Sequence, residues 1–221
     1  VAGYDAIDGT RKWLYSTTTP SLSLRGTTTP IVAGNIVVTG FANGRVAFLD
    51  LQTGLLEFDQ RIAVAQGTSD LDRLVDIDGL MQLVDNKLFV ASFQGRVAGI
   101  DITSGRVIWA EDASSTQGLG AGFGNVYLSK SDGQITAYNA DSGREVWNVD
   151  ALLHREITVP VTVGSYLALT DFDGYLHLLA QSDGRFVARR KLGTVKAGLL
   201  THGGFIYAMG DNGSLSAMEV R

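Results

Sequence analysis

Few residues in this chain are of the types that do chemistry, and their spacing argues against it. The three histidines, His154, His177 and His202, lie 23 and 25 positions apart. None has a second ligand at metal-binding spacing, so they read as ordinary scaffold histidines. The Asp-x-Asp-Gly segments at 76–79 and 171–174 have the outline of calcium loops. The acidic first position such a loop requires falls on Leu74 and Leu169, so turn chemistry accounts for them better. "GLGAGFG" at 118–124 has the glycine density of a phosphate-binding run, but Phe123 stands where the third glycine belongs and no helical pattern follows. No serine sits in a nucleophile elbow. The absence of cysteine removes disulfides, thiolate metal sites and a cysteine nucleophile. The sequence therefore predicts no catalytic residue, no metal and no cofactor.

What remains is the frame that would position any site, and it reads as all-β. Of 221 residues, 45 % are hydrophobic and 19 % charged, which are globular values. Glycine is abundant and proline scarce, 27 against 3, as many tight turns between short strands require. The net charge is −5, and read for charge the chain offers no basic stripe or Lys/Arg run. That argues against a nucleic-acid partner and against a polybasic membrane contact. No stretch approaches the ~18 apolar residues of a membrane span, and no signal peptide is read.

One pattern recurs: a glycine, a second glycine ten residues on preceded by Thr, Ser or Asp, then an aromatic four residues later. It appears as "NGRVAFLDLQTGLLEF" at 43–58, "QGRVAGIDITSGRVIW" at 94–109 and "DGQITAYNADSGREVW" at 132–147, with a weaker copy, "DGYLHLLAQSDGRFVA", at 173–188. The first glycines, Gly44, Gly95, Gly133, Gly174 and Gly213, are 51, 38, 41 and 39 residues apart. A period near forty made of strand signals predicts a β-propeller of four-stranded antiparallel blades. Each first glycine is expected in a hairpin turn with positive φ. Each second one, Gly54, Gly105, Gly143 and Gly184, is expected to close a turn led by Asp50, Asp101 or Asn139, a site that Ala180 breaks in the weakest copy. Trp13, Phe58, Trp109 and Trp147 are the expected anchors between blades.

Full blades are predicted at about 26–62, 80–111, 118–149 and 157–192, with blade remnants at 1–15 and 197–221, all in a single partial propeller domain spanning 1–221. Small residues mark the innermost strands, near 80–84, 118–123, 157–163 and 197–201. The two ends would supply three strands and two, one more than a closing blade needs. The chain is therefore read as a piece of a larger ring lacking N-terminal blades.

Two connections interrupt the repeat: "STTTPSLSLRGTTTP" at 16–30 and "VAQGTSDLDRLVDIDG" at 64–79. Both precede an innermost strand, so both should emerge on one face, and loops on a rigid scaffold are where binding is placed. Leu22 and Leu24 would share a side if extended, beside Arg25, and would make an apolar hot spot unless they fold back onto a blade. Asp76 and Asp78 would likewise share a side; a solvated acidic loop, or an internal pair with Arg25 or Arg73, is the plainer alternative. Strand addition to an exposed edge is a further recognition mode open to such a fold.

The segments "PSLSLRG", "DRLVDIDG" and "ALLHREITVPV" (151–161) together resemble those of the BamB family of outer-membrane assembly factors. The tryptophan repeat alone is shared with quinoprotein-like propellers at large. The resemblance covers essentially the whole chain, but only about the C-terminal five-eighths of an eight-bladed member. It implies a periplasmic scaffold, lipid-anchored to the outer membrane through an N-terminal cysteine that this chain lacks, with no enzymatic activity. It implies docking of a periplasmic POTRA domain of BamA through Leu22, Leu24, Arg25, Asp76 and Asp78, with Asp72 and Arg73 as neighbours, and contact with unfolded outer-membrane proteins. A second reading is a fragment of a pyrroloquinoline-quinone dehydrogenase, which shares the repeat. Those enzymes need calcium ligands and an axial cofactor pocket, and many carry a vicinal cysteine pair that is absent here. A propeller scaffold with an unrelated partner is the third.

Overall fold

The computed structural model of the chain describes residues 1–24, 28–66, 68–195 and 198–220, and none of them is helical. The contacts group into two compact units, 1–116 and 117–221. The first unit holds a two-stranded sheet, β1 (Ala2–Tyr4) and β2 (Arg11–Leu14), and two four-stranded sheets. These are β3 (Ile31–Ala33), β4 (Ile36–Gly40), β5 (Arg45–Asp50) and β6 (Leu56–Arg61), then β7 (Gln82–Val84), β8 (Lys87–Ala91), β9 (Gly95–Asp101) and β10 (Val107–Ala113). The second unit holds β11 (Leu119–Gly122), β12 (Asn125–Ser129), β13 (Ile135–Asn139) and β14 (Glu145–Val149). It continues with β15 (Val161–Val163), β16 (Tyr166–Thr170), β17 (Tyr175–Ala180) and β18 (Phe186–Lys191). It ends in a three-stranded sheet, β19 (Leu199–His202), β20 (Phe205–Met209) and β21 (Leu215–Glu219). Every sheet is an antiparallel meander in chain order, the architecture of propeller blades. The innermost strands are shorter than the small-residue runs predicted, because 28–30 and 157–160 belong to the connections instead.

The second and third strands of each four-stranded sheet carry the core. In the first unit Val38, Val46, Phe48, Leu88, Val90 and Ile100 are buried together. In the second, Tyr127, Ile135, Leu167, Leu169 and Leu179 do the same. The outer strands β6 and β14 mix exposed and half-buried residues, and their one large inward side chain is the anchor aromatic. A register shift next to each anchor turns it inward, and small residues face several of them: Gly3 opposite Trp13, Gly99 opposite Trp109, Ala137 opposite Trp147.

The anchor of one sheet inserts under the second-glycine turn of the next. A Cβ added at Gly54 would lie 2.5 Å from the Trp13 ring, at Gly105 2.3 Å from Phe58, and at Gly184 2.7 Å from Trp147. Trp13 Nε1 donates to Leu51 O and Trp147 Nε1 to Gln181 O, both at 3.0 Å, so each indole is satisfied while its ring is packed. The turns above them are built as expected. Asp50 Oδ1 accepts from the N–H and hydroxyl of Thr53, and Asp101 Oδ1 from those of Ser104. Asn139 Oδ1 does the same with Ser142. These bonds hold the Asp50 and Asp101 carboxyls below the usual range.

One turn departs from expectation. Gly44, Gly133, Gly174 and Gly213 take positive φ, but Gly95 does not; Gln94 takes the left-handed conformation instead, at φ 47°. Gly95 is needed for space, since a Cβ there would lie 2.2 Å from Ser92 Oγ and 2.6 Å from Ala63 Cβ. The "GLGAGFG" run is likewise about close approach: a Cβ at Gly120 would meet Pro160 O at 2.3 Å, and at Gly122 Gln181 Oε1 at 2.6 Å.

Gly9 and Gly105 both take left-handed backbone, φ 74° and 67°, but nothing lies within 4 Å of a Cβ at Gly9. Gly9→Ala is expected to cost the backbone term alone, about 1–2 kcal/mol. Gly105→Ala should cost more, about 3 kcal/mol or above, because it also displaces the Phe58 ring. Urea unfolding of the two variants checks this, and equal costs would refute the wedge of Phe58 beneath that turn.

Candidate partner-docking site

The two connections are knitted into one surface by backbone and side-chain bonds within the first unit. Ile77 N–H donates to Phe41 O at 3.3 Å and Phe93 N–H to Asp76 O at 2.8 Å, so the 74–79 segment bridges the hairpins of two neighbouring sheets. Leu74, Val75, Asp76 and Ile77 are all buried. Ile77 fits a notch that only glycine leaves: a Cβ at Gly40 would lie 2.3 Å from its Cγ2. Asp76 Oδ2 then accepts the Leu24 N–H, and Thr28 Oγ1 donates to Gly79 O at 2.8 Å. Asn43 Nδ2 reaches Thr17 Oγ1 at 3.2 Å.

This geometry sorts the expected residues. Asp76, only 2 % exposed, is no solvated loop carboxylate but the clamp that holds the 22–24 segment. Burial pushes its carboxyl above the ordinary range; the Leu24 N–H opposes this, and the charge of Asp78 adds to it. Asp78 is half-buried and lines a cavity of about 550 Å³ with Leu24 and Asp76. Leu22 is exposed, while Leu24 is half-buried, so the expected shared side is not found: the chain bends at 21–22 and sends the two leucines into different hollows. Leu22 borders a second cleft of about 280 Å³ with Asp70, Arg73 and Val75. Asp72 is exposed and caps a tight turn, its carboxylate accepting Ser69 N–H at 3.3 Å while Ser69 Oγ accepts Asp72 N–H at 3.1 Å. Hydrogen bonds to the carboxyl from the Ser69 side chain and from its N–H hold Asp72 below its usual range. Arg73 is exposed beside it. Arg25 lies outside the described residues.

Two features escaped the sequence reading. In the second unit, Phe172 N–H donates to Arg155 O as Phe93 N–H donates to Asp76 O in the first. Arg155 grips Asp171 Oδ2 at 2.8 Å and Asp173 Oδ2 at 2.6 Å, and buried His177 holds the same Asp171 oxygen through Nε2 at 2.8 Å. Burial raises the Asp171 carboxyl, but the bonds from His177, the Tyr175 N–H and Arg155 outweigh it and leave it below the ordinary value. The Asp-x-Asp-Gly turn at 171–174 is thus an arginine clamp, for which the residues "HRE" gave the only signal. The second feature corrects the charge reading: Arg185, Arg189, Arg190 and Lys191 form a basic run on and beside β18. Three of the four are consecutive, so the expected absence of a Lys/Arg run does not hold at 189–191. Among the described residues no group of three or more His, Cys, Asp or Glu is placed to hold a metal, and no helix is long and apolar enough to cross a membrane.

The family model described as outer membrane protein assembly factor BamB matches residues 1–149 and 131–221. A curated relative of that description from Pseudomonas aeruginosa is 42 % identical over 206 residues, covering 92 % of this chain and 54 % of its own length. The crystal structure of BamB from Moraxella catarrhalis superposes with a TM-score of 0.90 at 34 % identity, over 96 % of this chain and 64 % of that one. The chain thus spans about half the length of the curated relatives it matches. A europium-containing methanol dehydrogenase, at TM-score 0.59, 16 % identity and coverage of 84 % of this chain and 46 % of its own, shares the fold alone.

Because the folded Asp76 carboxyl titrates above the ordinary value of 3.8, its neutral form favours folding. The contribution is fully present below that value and lost as pH rises through the raised one. Wild-type stability minus that of Asp76→Asn should therefore fall as pH climbs from acid toward neutrality and flatten above. Urea unfolding across that range reads the difference, in which the other carboxylates cancel; a difference independent of pH would show that Asp76 is not desolvated.

Proposed function

This chain belongs to the family of outer membrane protein assembly factor BamB, and on that premise we propose that it is a non-enzymatic scaffold of the β-barrel assembly machinery. It works on the periplasmic side of the outer membrane, with a lipid anchor supplied by the full-length protein as part of an eight-bladed ring. Its partner is a periplasmic POTRA domain of BamA, docked on the surface made by residues 16–30 and 64–79. The observation that carries this reading is the bond from Leu24 N–H to buried Asp76, which fixes one connection against the other. Leu22 and Leu71 are left exposed on that surface, 42 % and 61 %, beside a cleft bordered by Arg73. Exposed apolar side chains on a backbone already fixed bind with little further loss of entropy.

The roles divide accordingly. Leu22 and Arg25 are the contact residues, Leu24 and Asp78 line the adjoining cavity, and Asp76 acts through the position of Leu24 rather than by touching the partner. Asp72 and Arg73 stand at the rim, where charge sets the rate of encounter more than the final affinity. Incoming unfolded barrel proteins are handled by the assembly as a whole, held in register by the disc.

The test is a titration of the chain with the BamA POTRA domains from the same organism. Leu22→Glu and Arg25→Glu should each weaken binding by roughly thirtyfold, the scale of a lost hot spot. Asp76→Ala should weaken it too, and should also raise hydrogen exchange at the Leu24 amide. Wild-type affinity in Leu22→Glu and Arg25→Glu, with circular dichroism unchanged, would overturn the assignment of this surface.

A further inference from the structure

The outer strand of the 157–192 sheet differs from every other outer strand described. β18 is the edge strand of its sheet and pairs only with β17, so the backbone groups on its other side have no strand partner among the described residues. All six of its residues are exposed. Where Trp13, Phe58, Trp109 and Trp147 stand in the other outer strands, β18 has Ala188, opposite Leu178. The missing ring leaves a hollow of about 230 Å³ floored by Leu178, Ile206 and Met218.

Its charge is as unusual as its shape. The other four-stranded sheets have outer strands in which acids outnumber bases: Glu57 and Asp59 against Arg61 on β6, Glu111 and Asp112 on β10, Glu145 on β14. Two of those acids are already paired from the neighbouring strand, Asp59 with Arg45 and Asp112 with Arg96. β18 carries Arg189, Arg190 and Lys191, with Arg185 just before it, in a chain of net charge −5. Its neighbour β17 reads "YLHLLA" and offers no carboxylate. Arg189 and Lys191 instead stack on the Tyr175 ring, 3.7 and 4.4 Å from its centroid. Lys191 also donates to the Asp173 carbonyl, Arg185 meets the exposed Asp183 at 3.4 Å, and Glu219 is the one acid at the hollow. Tyr175 thus holds two cations side by side without neutralising either.

We propose that β18 is a docking edge for an extended acidic segment of a partner protein, one that alternates carboxylates with apolar residues and adds to the sheet as a further strand. The free side of the β18 backbone supplies the ladder. Alternation places carboxylates over Arg189 and Lys191, which share the Tyr175 face, and turns apolar side chains to the other face, where Ala188 leaves the hollow. Charge on an edge strand ordinarily prevents edge-to-edge pairing. A wholly basic edge repels copies of itself and remains open to an acidic strand, which a mixed edge is not.

The probe is a fluorescein-labelled peptide of about ten residues alternating Glu with Val, titrated into the 221-residue chain by anisotropy. Saturable binding is expected, weakening steeply with salt, together with new hydrogen-exchange protection of the β18 amides. Arg189→Glu/Arg190→Glu should weaken it at least about tenfold. Ala188→Trp, which fills the hollow and keeps the cations, should weaken it as well. Leu22→Glu and Arg25→Glu should leave it unchanged, which separates this edge from the docking surface proposed above. Equal affinity for the same peptide with Lys in place of Glu would overturn the proposal, as would wild-type affinity in both β18 variants. Binding to vesicles of anionic phospholipid without binding to the peptide would assign the basic strand to a membrane surface instead. Self-association abolished by Arg189→Glu/Arg190→Glu, without peptide binding, would assign it to a second copy of the chain.

Discussion

The structure depends on a ring wedged under a glycine. Trp13, Phe58 and Trp147 each project from the outer strand of one sheet into the space beneath the turn of the next, and that space exists because the turn residue has no Cβ. The same glycine must take left-handed backbone, so two independent requirements, space and conformation, fall on one residue. The turn is rigid before the ring arrives: an Asp or Asn side chain binds the backbone and hydroxyl of the residue just before the glycine. A sheet with one solvated face would be marginal alone. Wedging rings of this size between sheets supplies the burial each sheet lacks.

This constraint explains how much of the fold was legible. A residue that must be glycine and a residue that must be aromatic, at fixed spacing, leave a period that survives drift elsewhere. The period places Gly54, Gly105 and Gly184, and the rings that meet them, without reference to coordinates. Local failures of the reading have physical causes. The pair Gln94-Gly95 reads as a turn with positive φ at the glycine, yet in a hairpin of the same length as the others the left-handed residue is Gln94. Leu22 and Leu24 share a side only in extended chain, and a bend at 21–22 divides them. Burial of a loop leaves no periodic signature, so the 74–79 segment looked like acidic linker when it is bridging structure.

The candidate site shows why chemistry-bearing residues in a scaffold mislead a sequence reading. Asp-x-Asp-Gly occurs in both units, and in both it is a structural clamp. In the first the buried acid takes a backbone N–H from the other connection; in the second the acids take an arginine from the segment before the sheet. The backbone relationship is the same, a hairpin phenylalanine N–H donating to the clamp residue's carbonyl, while the sign of the side chain is reversed. The two motifs themselves occupy different places, 76–79 in a connection and 171–174 in the hairpin between β16 and β17, so their common spacing reports neither the backbone role nor the partner of the side chain.

The two clamps differ in what their burial costs. Arg155 is bound to two carboxylates and Asp171 also accepts from His177 and the Tyr175 N–H, so charge and hydrogen bonding are matched within the second unit. Asp76 is matched less completely: one oxygen takes Leu24, and Oδ1 is buried without a hydrogen-bond partner among the described residues. A desolvated carboxylate in that state costs stability unless something positive approaches. Truncating Asp76 would free the leucine segment, and retaining it keeps a carboxyl raised by burial and by Asp78. Positive charge brought to that cavity, whether from this chain or from a docked partner, relieves the same cost. Affinity at this surface and stability of the segment beneath it are therefore linked through one carboxylate.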